Sequence, residues 1–381
     1  MAGSIICHEN NYPMNIVLVV NSMETGGAER VASTLASSWA ERGDSVTLVA
    51  TFSGRGNCFY PVSDKVRMVY LADLVGRKGR GPLTLLKRLV TLRALLRDLR
   101  ADVIVSLLTN VNIVTIVSSC GLGIPVIACE HNDPSADGRS MLWKVLCRIV
   151  YPQAKVLTFL SENIAAPFRK WLPGEQRLAV IPNPIANEIY QENRPAASPG
   201  ARKRLISVGR LHTQKQYDLL IKTFASLASD FADWDLWIWG EGPERSELTK
   251  LIHELSLTDR VFLPGRTSTP WREMAAANVF VLSSRFEGMP MALMEGMALG
   301  LPAVAFDCRS GPRELMRGGE DGLLVPPDDA HAMAAALRRL LSDECLRAEL
   351  GEKGATSIRE RYSVPSVLSI WDRIFTDIRV R

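Results

Sequence analysis

The sequence predicts an α/β protein of two Rossmann-like domains, and three observations carry that prediction. Short β-rich apolar runs alternate with amphipathic helical patterns, the arrangement of parallel strands covered by helices on both faces. The alternation restarts in mid-chain, after a stretch rich in Pro, Asn, Ala and Ser. The length of 381 residues exceeds one ordinary domain and suits two of moderate size.

In the first half, strand-like runs fall at 15–20, 45–51, 102–107, 125–130 and 155–160. Helical patterns lie between them, as at 28–42 and 84–99, where Leu85, Leu89, Leu92 and Leu96 recur at three- and four-residue steps. The least polar stretch, 111–129, is about as long as a membrane span, but Gly121, Gly123 and Pro125 break it. It reads as a helix, a turn and a buried strand. The second half repeats the pattern with strands at 204–208, 235–239, 261–263, 279–283, 302–306 and 322–325. Helices are expected at 216–229 and 330–341, among others. The domains are therefore expected at 14–184 and 201–364, joined by a linker at 185–200. A last helix, 365–381, has no strand after it and is free to pack back on the first domain.

A hydrophobic content of 47 % and a charged content of 23 % place the chain among soluble globular proteins. The net charge of +4 is too mild to argue for nucleic acid. The seven cysteines (Cys7, Cys58, Cys120, Cys129, Cys147, Cys308 and Cys345) are scattered and lack any C-x-x-C spacing. This favours free thiols in a reducing compartment over a disulfide framework or a zinc site. The first thirteen residues, without the basic start and apolar run of a signal peptide, read as a loose tail, and the expected location is the cytoplasm.

In such sheets ligands bind beyond the carboxyl ends of the strands, and two sheets facing each other put the site in the cleft between them. After the first strand come Gly26 and Gly27, which allow close backbone approach at a helix start. They form neither a dinucleotide fingerprint nor a Walker loop, and a tight strand-to-helix turn explains them equally well. The run 125–130 leads into His131, Asn132, Asp133 and Pro134, a polar cluster where reactive groups are kept, or a capping turn with an incidental histidine.

In the second half, 204–208 leads into Gly209, Arg210 and Lys215. Two cations at a strand end suit a pyrophosphate: a guanidinium fork and an ammonium point charge. Asp233 and Asp235, two apart, have the spacing to hold a divalent cation, but they precede a strand and belong on the face away from the cleft. Downstream of 279–283 stand Glu287 and Glu295, flanking Gly288, Met289, Pro290 and Met291, with a helix expected from about 290 to 299. Gly288 can present bare amides, and the helix start offers its positive end to an anion. Carboxylates here can accept hydrogen bonds from vicinal hydroxyls. A glycosidase pair would have to flank the bond about 5–10 Å apart, and Glu295, well down a helix, is poorly placed for that. Five strand-end loops of the second half, the one at 307–314 among them, carry Gly plus charge.

In this order the motifs are specific. Thr25-Gly-Gly-Ala-Glu-Arg30, Glu130-His-Asn-Asp-Pro134, Ile181-Pro-Asn-Pro184 and Val208-Gly-Arg-Leu211 with Lys215 come first. Gly240-Glu-Gly-Pro-Glu244, the Glu287/Glu295 pair, Gly300-Leu-Pro302, Ser310-Gly-Pro-Arg-Glu314 and Asp321-Gly-Leu-Leu-Val-Pro326 follow. From about Asn15 to about Tyr362 the chain resembles the retaining family-4 glycosyltransferases of the GT-B fold, the group related to bacterial glycogen synthases. The resemblance implies that Arg210 and Lys215 hold the donor's diphosphate, Glu295 the ribose hydroxyls and Glu287 the sugar hydroxyls. It further implies that amides around Gly288–Met291 reach sugar and phosphate, with Gly209 beside the diphosphate. Gly26 and Gly27 would shape the cleft, His131 would sit over the donor sugar, and 264–266, with Arg266, would meet the base. Transfer would keep the α configuration and need neither metal nor cofactor, the nucleotide sugar being a co-substrate, with UDP-sugar favoured over GDP-sugar. Catalysis would then be leaving-group electrostatics and positioning. One departure is Gln216, where the family usually has Gly.

The resemblance extends to enzymes that build bacterial surface polysaccharides or lipid-linked oligosaccharides, which implies a glycan or polyprenyl-diphosphate-linked acceptor. Arg77, Lys78, Arg80, Lys87, Arg88, Arg93, Arg97 and Arg100 crowd one segment, and Lys144 and Arg148 sit on an apolar helix at 140–151. Two readings stand for these: peripheral contact with an anionic membrane on its cytoplasmic face, and a solvated helix face. Two rival functions are kept, a sugar-nucleotide epimerase of the same fold and a non-catalytic carbohydrate- or lipid-binding protein with a relic donor site.

Overall fold

The structure, a computed structural model, describes residues 13–379 apart from 25, 57, 77–80, 132–137, 139, 173, 175–176, 194 and 196–199. The first domain is built on a seven-stranded sheet. Its strands are β1 (Asn15–Val20), β2 (Ser45–Ala50), β3 (Arg67–Tyr70), β4 (Val103–Leu107), β5 (Val126–Glu130), β6 (Val156–Phe159) and β7 (Arg177–Val180). The second carries a six-stranded sheet of β8 (Lys203–Val208), β9 (Trp234–Trp239), β10 (Val261–Gly265), β11 (Val279–Leu282), β12 (Ala303–Phe306) and β13 (Leu323–Val325). Their orders are β3-β2-β1-β4-β5-β6-β7 and β10-β9-β8-β11-β12-β13. Each named pairing is parallel. This is the doubly wound α/β architecture that the alternating pattern predicts.

The alternation of side chains along β1 explains why both faces must be covered. Ile16, Leu18 and Val20 join one core with the helix Gly27–Glu41, while Val17 and Val19 join another with helices Pro82–Leu99, Thr109–Ser119, Met141–Val150 and Glu162–Arg169. The stretch 111–129 resolves as the end of helix Thr109–Ser119, a turn with Gly121 and Gly123 at φ 74° and 72°, and β5. No helix among the described residues is long and apolar enough to cross a membrane.

Two edge strands escape the sequence pattern. β3 and β7 are four residues each, half-buried and mixed in polarity, and their partner strands rather than their own periodicity make them strands. Within 185–200, Ile185 pairs with Ser363, Asn187–Gln191 forms a short 3₁₀ turn, and Ile185 and Ile189 are buried in the second domain's core. The terminal helix Val364–Arg379 lays Val367, Trp371, Ile374, Phe375 and Ile378 on the first domain's core.

Candidate active site

Each sheet has one point where strand order reverses, between β1 and β4 and between β8 and β11. Loops leaving those strands diverge and leave a crevice between them. In the second domain, β8 delivers Gly209 and Arg210 to the crevice, and the turn Thr213–Lys215 brings Lys215 back toward it. Arg210 is exposed on the wall and has no ion-pair partner among the described residues. Lys215 is tucked in, its Nζ 2.6 Å from Glu287 Oε1. Burial opposes its charge, but the Glu287 carboxylate and the Tyr217 side chain outweigh burial and hold the ammonium above its ordinary pKa. It is a cation at neutral pH.

Gln216, the departure from the family glycine, takes the left-handed conformation that glycine adopts freely, with φ 51° and ψ 43°. Its amide donates to Asp328 Oδ1 at 2.5 Å. The loop therefore takes a glycine-like turn without glycine. Gly240 has a different role: a Cβ there would lie 1.9 Å from the carbonyl oxygen of Gly209, so the β9 loop reaches the β8 loop only through bare backbone.

β11 runs into Glu287, and helix Met291–Ala298 starts after Pro290, which caps it at φ −72°, ψ 93°. The helix thus begins one residue later than the sequence suggests, and Glu295 sits just over one turn in. Backbone and side-chain bonds fasten this loop to the lysine loop. Ser283 Oγ donates to the Lys215 carbonyl at 2.7 Å, Arg285 N to the Gln214 carbonyl at 2.9 Å, and Gln214 Nε2 to the Phe286 carbonyl at 2.8 Å. Ser310, from the 307–314 loop, donates to the Glu287 carbonyl. That loop thereby holds Glu287, and its Glu314 reaches the first domain beside Ser161 and Asn163, where burial pushes its carboxyl above the usual pKa.

From the first domain, Gly26 and Gly27 open the helix Gly27–Glu41, and its Arg30 projects into the cleft. Arg30 forms an ion pair with the buried Glu295 across the domains. Its guanidinium also lies 5.0 Å from the Tyr60 ring centre and 5.6 Å from that of Trp271, within cation–π range. The Tyr60 hydroxyl accepts from Gly26 N at 3.3 Å. On the other side, a Cβ on Gly288 would meet the His131 carbonyl oxygen at 2.2 Å, so the second domain touches the end of β5 through a glycine. Burial pushes the His131 imidazole down to about pKa 4, leaving it neutral at pH 7.

The structure brings Gly26, Gly27, Gly209, Arg210, Lys215, Arg266, Glu287, Met289, Pro290, Met291 and Glu295 onto one cleft of about 870 Å³. Gly288 and His131 line an adjoining chamber of about 520 Å³ that shares Gly27, Glu287, Met289 and Met291 with it. Asn132, Asp133 and Pro134 lie outside the described residues, as do Thr25, Arg77, Lys78 and Arg80. Asp235 is held by Arg202 and Arg260 at 3.3 and 3.2 Å, at the amino end of its strand and away from the cleft. Sequence reasoning did not single out Arg30, Tyr60, Trp239 or Thr267, which also belong to the cleft. Arg30 was within reach, since it falls one helical turn past Gly27. Tyr60 comes from an irregular loop with no pattern to mark it.

Residues 26–184 match the family model described as glycosyl transferase 4-like domain, and residues 190–357 match that described as glycosyl transferases group 1. The chain is 30 % identical over 392 residues to an exopolysaccharide phosphotransferase of Streptomyces coelicolor, covering 93 % of this chain but 40 % of that protein. It therefore spans less than half of that relative's length. It is 25 % identical over 373 residues to an α-1,4-N-acetyl-D-galactosaminyltransferase of Campylobacter jejuni that is named for an undecaprenol-diphosphate-linked glycan. There 96 % of this chain and 99 % of the relative are covered. Among solved structures, Anabaena HepE in complex with UDP and glucose superposes with a TM-score of 0.79 at 18 % identity, over 96 % of this chain and all of that one. The chain belongs to the family-4-like glycosyltransferases of the GT-B fold.

Proposed function

We propose that the protein is a retaining, metal-independent glycosyltransferase. It moves a sugar from a nucleoside-diphosphate donor, UDP-sugar rather than GDP-sugar, to a glycan or polyprenyl-diphosphate-linked glycan in the cytoplasm of a bacterium. The observation that carries this reading is the gathering of Arg210, Lys215, Glu287 and Glu295 around the amino end of helix Met291–Ala298 in one cleft. The diphosphate lies against Arg210, Lys215 and that helix end, where the two cations do the work a metal would otherwise do. Glu295 takes the ribose hydroxyls and Glu287 those of the sugar, while the base lies toward Arg266 and Thr267. A diphosphate arriving at Lys215 draws it from Glu287 and frees that carboxylate for the sugar.

Transfer breaks the bond between the anomeric carbon and the diphosphate oxygen and forms one to the acceptor hydroxyl on the same face. The acceptor's proton passes to the departing phosphate oxygen, so the leaving group serves as its own base. His131, neutral at pH 7, contributes a hydrogen bond rather than a charge. The acceptor enters through the adjoining chamber. The UDP in HepE and the undecaprenol-linked glycan in the Campylobacter enzyme's name support the donor and acceptor classes. Screening sugar nucleotides for thermal stabilisation and slow hydrolysis, then determining the product's anomeric configuration, tests the reading. A UDP-sugar should stabilise the protein in the presence of EDTA and yield an α-linked product. An inverted product or strict EDTA sensitivity would overturn it, and a free epimerised sugar would replace it with the epimerase reading.

A further inference from the structure

We propose that the outer faces of helices Pro82–Leu99 and Met141–Val150 form a docking surface for an anionic lipid bilayer at the rim of the cleft. A lipid-linked acceptor would then reach the site along the membrane plane. The acceptor half of this proposal rests on the function proposed above; the docking surface itself does not.

Exposed apolar side chains are scattered singly over most soluble proteins, and a concentration of them marks a contact surface. Here fourteen large apolar side chains are exposed among the described residues, and nine of them sit on these two helices. Val117, on the helix Thr109–Ser119 packed between the two, is a tenth. On the first helix, Leu83, Leu86 and Val90 recur at steps of three and four and continue as Arg93 and Arg97. The opposite stripe, with Leu92 and Leu96, is buried in the core. The second helix buries Cys147 and Val150 and turns Met141, Leu142, Val145 and Ile149 outward. A helix that exposes its apolar face has a partner for it.

Three observations select the partner. The three helices expose five basic side chains (Lys87, Arg93, Arg97, Lys144 and Arg148) and one acidic one, Asp98. That balance complements an anionic surface and would repel a second copy of the same face. Arg97, Arg100, Lys144 and Arg148 are exposed on or beside the two apolar helices, the combination of an interfacial helix that lies on a membrane. Position is the third. The helices return antiparallel to the parallel strands they connect, so their amino ends lie at the carboxyl ends of those strands. Leu83, Leu85, Leu86 and Val90, with Met141, Leu142, Trp143 and Val145, occupy the amino-terminal halves. Leu108 and His131, which end β4 and β5 and lead into the second and third of these helices, line the chamber beside Glu287. The apolar patch therefore borders the side from which the acceptor enters.

The test measures co-sedimentation of the full chain with phosphatidylcholine vesicles, with and without phosphatidylglycerol, in the absence of donor and acceptor. It compares wild type with the Leu86→Glu/Val90→Glu/Leu142→Glu/Ile149→Glu variant, all four positions being exposed. Wild type should bind the anionic vesicles, less so at high salt, and the variant should lose at least about tenfold in partitioning with unchanged thermal unfolding. A soluble acceptor analogue should then be used equally by both proteins, and a vesicle-embedded acceptor poorly by the variant. Equal partitioning of the two proteins would overturn the proposal. So would a wild type that ignores vesicles, including one that self-associates through this face. Because vesicle binding is read without turnover, failure of the glycosyltransferase reading shows separately, as absent activity on either acceptor.

Discussion

Arg30 joins the two halves of the cleft. It leaves the first domain's helix to pair with Glu295, the carboxylate proposed for the ribose, while Tyr60 and Trp271 flank its guanidinium. A buried carboxylate held from one side presents its other oxygen in a fixed direction, so Arg30 acts on the donor by orienting Glu295. Arg30→Ala should raise the donor KM about tenfold or more with a smaller change in kcat, because breaking a buried pair leaves the partner charge unsupported. Arg30→Lys should recover part of the loss, and an equal fall in kcat alone would refute the orienting role. Lys215→Ala should instead lower kcat by roughly 10²–10³ with the fold intact, the scale for removing a group that stabilises developing charge, and full activity would sink the diphosphate assignment. For His131 the folded pKa of about 4 lies below the unfolded value, so between those values the unfolded chain binds more protons. Its contribution to stability is present above about pH 6.5 and is lost as pH falls toward 4, and His131→Gln should flatten that part of a stability–pH curve. The charged and small residues of the cleft were legible because strand ends and helix starts mark them. Tyr60 was not, because it comes from an irregular loop, and Arg30, though marked by its place one turn past Gly27, takes its role from a contact between domains that no local pattern encodes.

At the scale of elements, the sequence exposes whatever is periodic and hides whatever is imposed by neighbours. Central strands such as β4 and β5, buried along their whole length, announce themselves as apolar runs. The edge strands β3 and β7 do not, since one side has no partner and their residues stay half-exposed. Nor does spacing distinguish the jobs of the family motifs. Asp321 is buried and bonded to Arg317 at 2.6 and 2.8 Å, bracing the entry to β13 rather than facing the cleft. Ser310 of the neighbouring motif instead steadies Glu287. The Gly288 loop is where element geometry sets activity. Its missing Cβ allows the loop to rest on the His131 carbonyl, a contact between backbones that cannot yield as a flexible side chain would. Gly288→Ala should therefore either cost about 1–3 kcal/mol as an overpacked contact or prise the domains apart there. Thermal unfolding and small-angle scattering separate these outcomes, and transfer activity should fall in both. Unchanged activity and radius would show that the loop has room the geometry denies it.

For the whole molecule, the decisive feature is that the chain crosses between domains twice at one place. Ile185, leaving the first domain, accepts a pairing from the segment that returns to it: its amide donates to the Tyr362 carbonyl at 2.8 Å, and Ile185 pairs with Ser363. The two crossings form one hinge beside the cleft, and the returning segment is anchored by its final helix. Trp371 packs edge-on against Trp39 with ring centres 5.4 Å apart, and Phe375 closes on both. Arg42 to Asp372 at 2.6 Å and the Arg177–Asp377 pair fasten the middle and the carboxyl end of the helix. The first domain thus borrows its outermost helix from beyond the second, so its stability depends on a segment that follows the second domain in the chain. Trp371→Ala removes a nearly fully buried indole whose ring nitrogen has no hydrogen-bond partner among the described residues, so the loss is one of packing. The expected cost is about 3–5 kcal/mol, lowering the first domain's unfolding temperature by on the order of 10 °C. Arg210, Lys215, Glu287 and Glu295 all belong to the second domain. UDP should therefore still raise the later transition in calorimetry of the variant while leaving the earlier one nearly unmoved. A single transition that shifts as a unit with UDP would mean that the Arg30–Glu295 contact and the hinge couple the domains more strongly than the helix does. An unshifted transition would mean that the helix is dispensable to the first domain's fold.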